Sequence, residues 1–340
     1  MPDTTQTIPA PFLPTVQAAL QACFGTTTID AITLLSGGLS GAAVYKMTVN
    51  GVCYTLKLDT PSAQEHPALQ DILEQTSAAG IAPGLYYYNP AAGITLTAFI
   101  DNRPLRTVMA PERVIETLAR QLRRLHALPA PATGPELATT IAGLVNAYRQ
   151  QAILKGPVMD EVLALYARIL QARPWLEADQ VLAHNDLNPG NMLCDGEDLW
   201  IIDWDTAFRN NRYIDLAAVA NFFVYSEAQE QLLLRTYFER EPSAGEKDRF
   251  FLTRQVSRMI YGILLAQAAG RAQPKDYPHN QDMEDYTLSR FGERVQAGTI
   301  SMAGYEGQLF YAKANWNEAL RNMRSERFEA ALSRLAVPAL

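Results

Sequence analysis

Apolar residues recur with a period near four at Val16, Leu20 and Phe24, and Gly25 follows them. That spacing predicts a helix ending at the glycine, preceded by a loose arm up to about Pro14. The pattern then changes. The segment 32–59 (ITLLSGGLSGAAVYKMTVNGVCYTLKLD) reads as strand, glycine turn, strand, Asn50-Gly51 hairpin and strand. A helix is expected after Pro67, stopping at Gly80, and two short strands around 85–89 and 94–100. From Asp101 the chain turns helical, with an amphipathic run over 111–128 and further helices across 136–172. One β-rich insert, 181–207, interrupts this region, and the remainder is almost wholly helical. No repeat or low-complexity linker divides the chain. The expected fold class is therefore α+β: a small N-terminal antiparallel-sheet lobe over 1–100 and a large, mainly helical lobe over 101–340.

Composition narrows the functional classes. The 340 residues are 48% hydrophobic and 19% charged, the balance of a globular chain with a substantial core. Net charge is -7, a sign that disfavours nucleic acid and anionic membrane as partners and is compatible with a cationic small molecule. Cys23, Cys53 and Cys194 are odd in number and widely spaced, which suits free thiols rather than a disulfide framework or a zinc site. The N-terminus lacks the charge and apolar run of a signal peptide, and no apolar run reaches membrane-spanning length. A soluble, cytoplasmic protein is expected. Oligomeric state is not written in the sequence.

The densest chemistry lies in HNDLNPGN (184–191) and IIDWD (201–205). A carboxylate, Asp186, is followed five residues later by an amide, Asn191, and a short hydrophobic strand then delivers Asp203. Magnesium takes oxygen ligands and keeps water and phosphate oxygens for the rest of its shell. Asn191 and Asp203 are the candidate metal ligands, leaving Asp186 to accept a proton from an attacking hydroxyl. This division of labour is that of phosphoryl transfer, where positioning and charge neutralisation supply most of the rate. Asp205, two residues past Asp203, is a further candidate for metal or substrate. His184 is read as orienting the loop. Asp195 and Asp198 are read as turn residues.

The nucleotide half of the expected site is less local. Gly37, Gly38, Leu39, Ser40 and Gly41 form a small-residue turn whose N–H groups can approach phosphates closely. Lys57 alternates with Leu56 and Leu58, which places it on the opposite face of its strand, where it is the candidate partner of the α/β-phosphates. Lys46, on the preceding strand, is the competing lysine.

Together these segments resemble the aminoglycoside phosphotransferase and choline/ethanolamine kinase superfamily, whose fold is protein-kinase-like. HNDLNPGNML is similar to its catalytic loop, IIDWDTA to its metal-binding segment, and LARQLRRLHALPAP to the helix ending in Leu-His. The resemblance covers roughly residues 30–295 and implies an ATP- and Mg2+-dependent kinase acting on a hydroxyl acceptor. By the same resemblance, Asp215 in NNRYIDLAAVANFF braces the catalytic loop, and Ala98 and Ile100 in ITLTAFIDNRPL hold adenine through backbone groups. DMEDYTLSRFGERV looks like a late helix of choline-kinase-like members. Family members also carry a helix acid paired with the strand lysine. Here Glu65, Asp71 and Glu74 are all candidates. Choline, ethanolamine or another amino alcohol is the favoured acceptor, followed by aminoglycoside antibiotics and by homoserine- or thiamine-like alcohols. A non-catalytic nucleotide-binding module is the competing class. A protein kinase is disfavoured, because no segment ending in Ala-Pro-Glu follows.

Several features have plainer readings. His126 is expected to be a packed histidine, and Tyr86 to Tyr88 half-buried strand residues. Arg120, Arg123 and Arg124 read as a solvated helix face. Phe222, Tyr261 and Trp316 could form an aromatic box for a quaternary ammonium, but aromatics at helical spacing more often pack in a core. The last forty or so residues read as helices packing on the large lobe.

Overall fold

The computed structural model describes residues 8–35, 42–59, 67–132 and 134–336. The expected phosphate turn (Gly37, Gly38, Leu39, Ser40, Gly41) and Glu65 lie outside the described residues. The fold class is α+β, with a small antiparallel sheet and many helices. The chain packs as two compact units, residues 1–128 with 186–207, and residues 129–185 with 208–340.

In the first unit, helix α1 (Leu13–Phe24) begins slightly earlier than its apolar period indicates, because Pro14 is tolerated in the first helical turn. Gly25 ends it in the left-handed region. The sheet has five strands: β1 (Ala31–Leu34), β2 (Ala43–Val49), β3 (Val52–Leu58), β4 (Leu85–Asn89) and β5 (Ile94–Ala98). Their spatial order is β1-β2-β3-β5-β4, all antiparallel. Asn50 and Gly51 take φ values of 51° and 75°, the paired positive angles that a tight two-residue hairpin needs. Tyr54, Leu56 and Leu58 of β3 are buried, while Thr55 and Lys57 on the other face are half-buried. Val16 and Leu20 of α1 pack on Met47, Leu56, Ile94 and Leu96 to form this unit's core.

Helices α2 (Leu69–Ala78), α3 (Leu105–Val108) and α4 (Pro111–His126) and the hairpin β7 (Met192–Cys194) with β8 (Leu199–Ile201) complete the first unit. The division expected at residues 100 and 101 falls inside it. A hydrogen bond crosses that point, from the Ile201 N–H to the Ile81 carbonyl at 2.8 Å, and Gln121 of α4 ties the same hairpin to the helix through the Leu199 carbonyl at 2.9 Å. Arg120, Arg123 and Arg124 are exposed, as the charge pattern implies, although Arg124 also donates to the Ala79 carbonyl.

The second unit contains α5 (Leu137–Gln151), α6 (Pro157–Gln171), β6 (Gln180–Ala183), β9 (Phe208–Asn211), α7 (Tyr213–Phe223), α8 (Glu227–Phe238), α9 (Ala244–Arg271), α10 (Leu288–Gln296), α11 (Tyr305–Met323) and α12 (Glu326–Ala336). Its centre is α9, started by a capping box of Ser243 and Glu246 and packed by α7, α11 and α12. Gly262 lets α11 approach closely: a Cβ there would lie 2.6 Å from Trp316 Nε1. Trp316 is fully buried and stacks on Tyr148, so it belongs to the core and not to an aromatic box. Phe222 and Tyr261 pack edge to face, 5.3 Å apart. The late helix is shorter than the run 282–295. It starts at Leu288, because Thr287 caps it by accepting from the Arg290 N–H. Cys23, Cys53 and Cys194 are free thiols. Among the described residues, no helix is long and apolar enough to cross a membrane.

Candidate active site

The loop 186–191 and the hairpin that follows it are built by short-range bonds. Asn188 accepts from the Gly190 N–H through its side chain at 2.8 Å, and its backbone carbonyl accepts from the Asn191 N–H at 3.0 Å. A Cβ at Gly190 would stand 2.9 Å from Asn188 Oδ1, which explains the glycine. Both oxygens of Asp186 accept from amides: Oδ1 from Asn188 Nδ2 at 3.1 Å and Oδ2 from Asn191 Nδ2 at 3.0 Å. Asn191 Nδ2 also reaches the Asp186 backbone carbonyl at 2.9 Å. These bonds fix the carboxylate's orientation without burying it.

Strand pairing brings Asn191 and Asp203 to the same end of the hairpin. Met192 faces Ile201 across it, and the Ile202 N–H donates to the Asn191 carbonyl at 3.0 Å. Asp203 itself has φ 66° and ψ 66°, a left-handed conformation uncommon for a residue with a Cβ and concentrated at functional positions. Asp205 follows in a single 3-10 turn. Asp195, at the hairpin's far end, accepts from the Glu197 and Asp198 N–H groups, which lowers its pKa and agrees with a turn role.

Lys57 joins the sheet to this acidic pair. Its Nζ lies 3.5 Å from Asp203 Oδ1, 3.3 Å from Asp205 Oδ2 and 3.1 Å from Asp59 Oδ2. Burial pushes its pKa down, but attraction to Asp205, Asp203 and Asp59 outweighs that and raises it overall. Three carboxylates around one ammonium leave an excess of two negative charges. The Asn191 amide oxygen has no donor among the described residues, and Asp203 is an exposed carboxylate. This oxygen-only, net-negative donor set fits a hard divalent cation. Among the described residues, no group of three or more His, Cys, Asp and Glu side chains is placed to hold a metal ion, so such an ion would be held by few protein ligands.

Asp71 and Glu74 on α2 are both exposed and neither pairs with Lys57; Gln70 donates to Glu74 instead. Asp59, the closest acid to Lys57, was not singled out from sequence. Its signal was available, because residues two apart along a strand share a face. Asn188 was also missed. It looks like a turn residue, and only its contact with Asp186 distinguishes it. Lys46 lies over the Phe99 ring at 4.3 Å. The Ala98 N–H donates to the Gly84 carbonyl at 2.7 Å, whereas the Ile100 N–H has no acceptor among the described residues. An adenine at this strand could therefore not use the Ala98 N–H.

In the second unit, His184 is fully buried. Its backbone N–H donates to Asp215 Oδ2 at 2.8 Å, and that of Asn185 to Asp215 Oδ1 at 2.9 Å. Asn185 has φ 68°, and its side-chain oxygen accepts from Asn210 at 2.7 Å. Asp215, fully buried on α7, thus fixes the backbone immediately before Asp186.

Residues 31–249 match the model of the phosphotransferase enzyme family, and the chain belongs to that family. Its fold is similar to that of a choline/ethanolamine kinase family protein from Mesorhizobium loti, with a TM-score of 0.66 at 17% identity over 96% of this chain and 99% of that one. It is also similar to spectinomycin phosphotransferase, in a structure with ADP and spectinomycin, with a TM-score of 0.55 at 14% identity over 89% and 98% of the two chains. By sequence, an uncharacterised protein from Metamycoplasma hominis is 31% identical over 126 residues, 36% of this chain. The match spans 24% of that relative's length.

Proposed function

We propose that the protein is an ATP-dependent small-molecule kinase that transfers the γ-phosphate of ATP to a hydroxyl group, with choline, ethanolamine or a similar amino alcohol as the favoured acceptor. The observation that carries this reading is the convergence of Lys57 on Asp203 and Asp205. Asp186 acts as general base. Its carboxylate takes the acceptor's hydroxyl proton as the new O–P bond forms, and the bond between the γ-phosphorus and the β–γ bridging oxygen breaks to release ADP. Asn191 and Asp203 would hold Mg2+, with Asp205 a further candidate for metal or substrate. When bound, the ion neutralises phosphate charge. Lys57 takes the α/β-phosphates, the turn from Gly37 to Gly41 covers them, and the Ala98 carbonyl and Ile100 N–H meet adenine. Asp215 and His184 hold the loop that carries Asp186. The action is assigned to the cytoplasm, where ATP is supplied.

The amino-alcohol preference is supported by the choline/ethanolamine kinase family relative and by the chain's net negative charge. The test is ADP release by purified protein with ATP and Mg2+ against amino alcohols, aminoglycosides and hydroxy amino acids. Release stimulated by an amino alcohol and abolished by chelation is expected. Stimulation by aminoglycosides alone would move the acceptor class. ATP binding with no acceptor-dependent release would favour the non-catalytic module.

A further inference from the structure

A group of arginines in the second unit has no place in the phosphotransfer reading. Arg254 and Arg258 lie one turn apart on α9, where it packs on α7 and α11. Arg254 is well satisfied: it donates to Asn221 Oδ1, Glu230 Oε2 and the carbonyls of Ala220 and Val224. Arg258 is not. It is 4% exposed, and its Nε and Nη1 are sealed from solvent with no hydrogen-bond acceptor among the described residues. Its Nη2 is not among the sealed atoms.

The surrounding charge does not compensate. Glu318 is the acid that acts on Arg258, but its oxygens already accept from Arg321 and Asn322. Glu230 is shared by Arg254 and Arg327. The network therefore holds four guanidinium groups and two carboxylates. Arg321 and Arg327 reach solvent, whereas Arg258 does not. Burial pushes the Arg258 pKa down to about 10, and Arg254 adds to the shift while Glu318 opposes it. Buried polar groups are ordinarily paired, and a buried charge left without a partner is strongly unfavourable. A guanidinium stays protonated even here, so the strain is relieved by an anion more readily than by deprotonation.

We propose that Arg258 is an anion-binding site of the second unit, taking a small oxyanion, a carboxylate or phosphate group, on its unpartnered N–H groups. The guanidinium donors suit both chemistries. The site is independent of the kinase reading, because it rests only on packing within this unit. Gln255 Oε1, one turn away, is likewise buried without a donor. A buried water bonded to these side chains is the competing occupant.

The test is thermal unfolding of the whole protein in sodium phosphate, sodium acetate and sodium chloride at matched ionic strength, without nucleotide. A saturable rise in Tm of about 2–4 °C at roughly tenfold excess over Kd is expected with phosphate or acetate over chloride. Response to phosphate alone assigns a phosphate group, and response to both admits a carboxylate. The rise should vanish in Arg258→Met, shrink in Arg258→Lys and survive Lys57→Met, which excludes binding at the nucleotide residues. In chloride, Arg258→Met should be at least as stable as the parent, because it removes an unpaired buried charge. If Arg258→Met does not fold, the comparison rests on Arg258→Lys. No response to either anion, or the same response after substitution of Arg258, overturns the proposal and leaves water as the occupant.

Discussion

Asp215 accepts a hydrogen bond from the backbone N–H of His184 at 2.8 Å, inside a fully buried pair of residues. Its second oxygen accepts from Asn185. One carboxylate thus satisfies two consecutive N–H donors. Asp215→Asn keeps the shape but turns an NH2 toward one of those donors. The expected loss is about 1–3 kcal/mol of stability, read as a lower midpoint in urea. An unchanged midpoint would show that the two bonds contribute nothing to holding the loop.

Asp186→Asn preserves volume and removes the proposed base. Acceptor-dependent ADP release should fall by roughly 10²–10⁴-fold, with ATP affinity within a few-fold of the parent by calorimetric titration. Undiminished turnover would assign the proton to another group.

Lys57 should remain charged through the whole working range. Its pKa is raised above the ordinary 10.5, so folding gains from its carboxylate contacts fully below that value and loses the gain as pH rises through the folded pKa. ATP affinity should accordingly show no Lys57 titration between pH 7 and 10. Lys57→Met should weaken ATP binding by roughly 10–100-fold, the worth of a charge-assisted bond, in a nucleotide titration. A weakening smaller than threefold would remove Lys57 from the phosphate site.

Glu246 supplies an acid-side signature. Hydrogen bonding from Arg240, reinforced by the Ser243 N–H and opposed by burial, holds its pKa at about 2. The folded value lies below the unfolded one, so its contribution is present above about pH 4.5 and is lost as pH falls toward 2. Glu246→Gln should flatten the dependence of Tm on pH across that window. An identical slope in both proteins would mean that other carboxylates control acid unfolding.

Arg334 on α12 grips Asp248 of α9 with two bonds of 2.6 Å, and the Asp248 side chain is only 4% exposed. Arg334→Ala strands that carboxylate. A loss of roughly 2–4 kcal/mol is expected by denaturant unfolding. This ion pair gives the C-terminal helix a definite task, anchoring to α9, which its sequence did not reveal.

The elements most legible in sequence were those whose signal is local. Asn50-Gly51 specified its hairpin through the backbone freedom of two residues, and the alternation around Lys57 specified the face on which it stands. Trp316 shows the opposite case. Its helical spacing allowed either a core position or a ligand cage, and its stacking on Tyr148 decided for the core. The tie between α4 and β8 was illegible, because Gln121 and Leu199 are 78 residues apart and nothing in the local composition records that they meet.

For the candidate site, the sequence alone determined the order and spacing of Asp186, Asn191 and Asp203, because a short loop and a hairpin of two three-residue strands hold them within one local structure. It could not determine what surrounds Lys57. Lys57 and Asp205 are 148 residues apart, and only the tertiary fold brings the ammonium to Asp203 and Asp205 while leaving Asp71 and Glu74 at the surface. The same holds for the unpaired Arg258: a sequence states that an arginine is present, but its burial and its lack of an acceptor arise where α7, α9 and α11 meet. Local geometry follows from spacing along the chain, whereas electrostatic partnership depends on distances that only the packed structure sets.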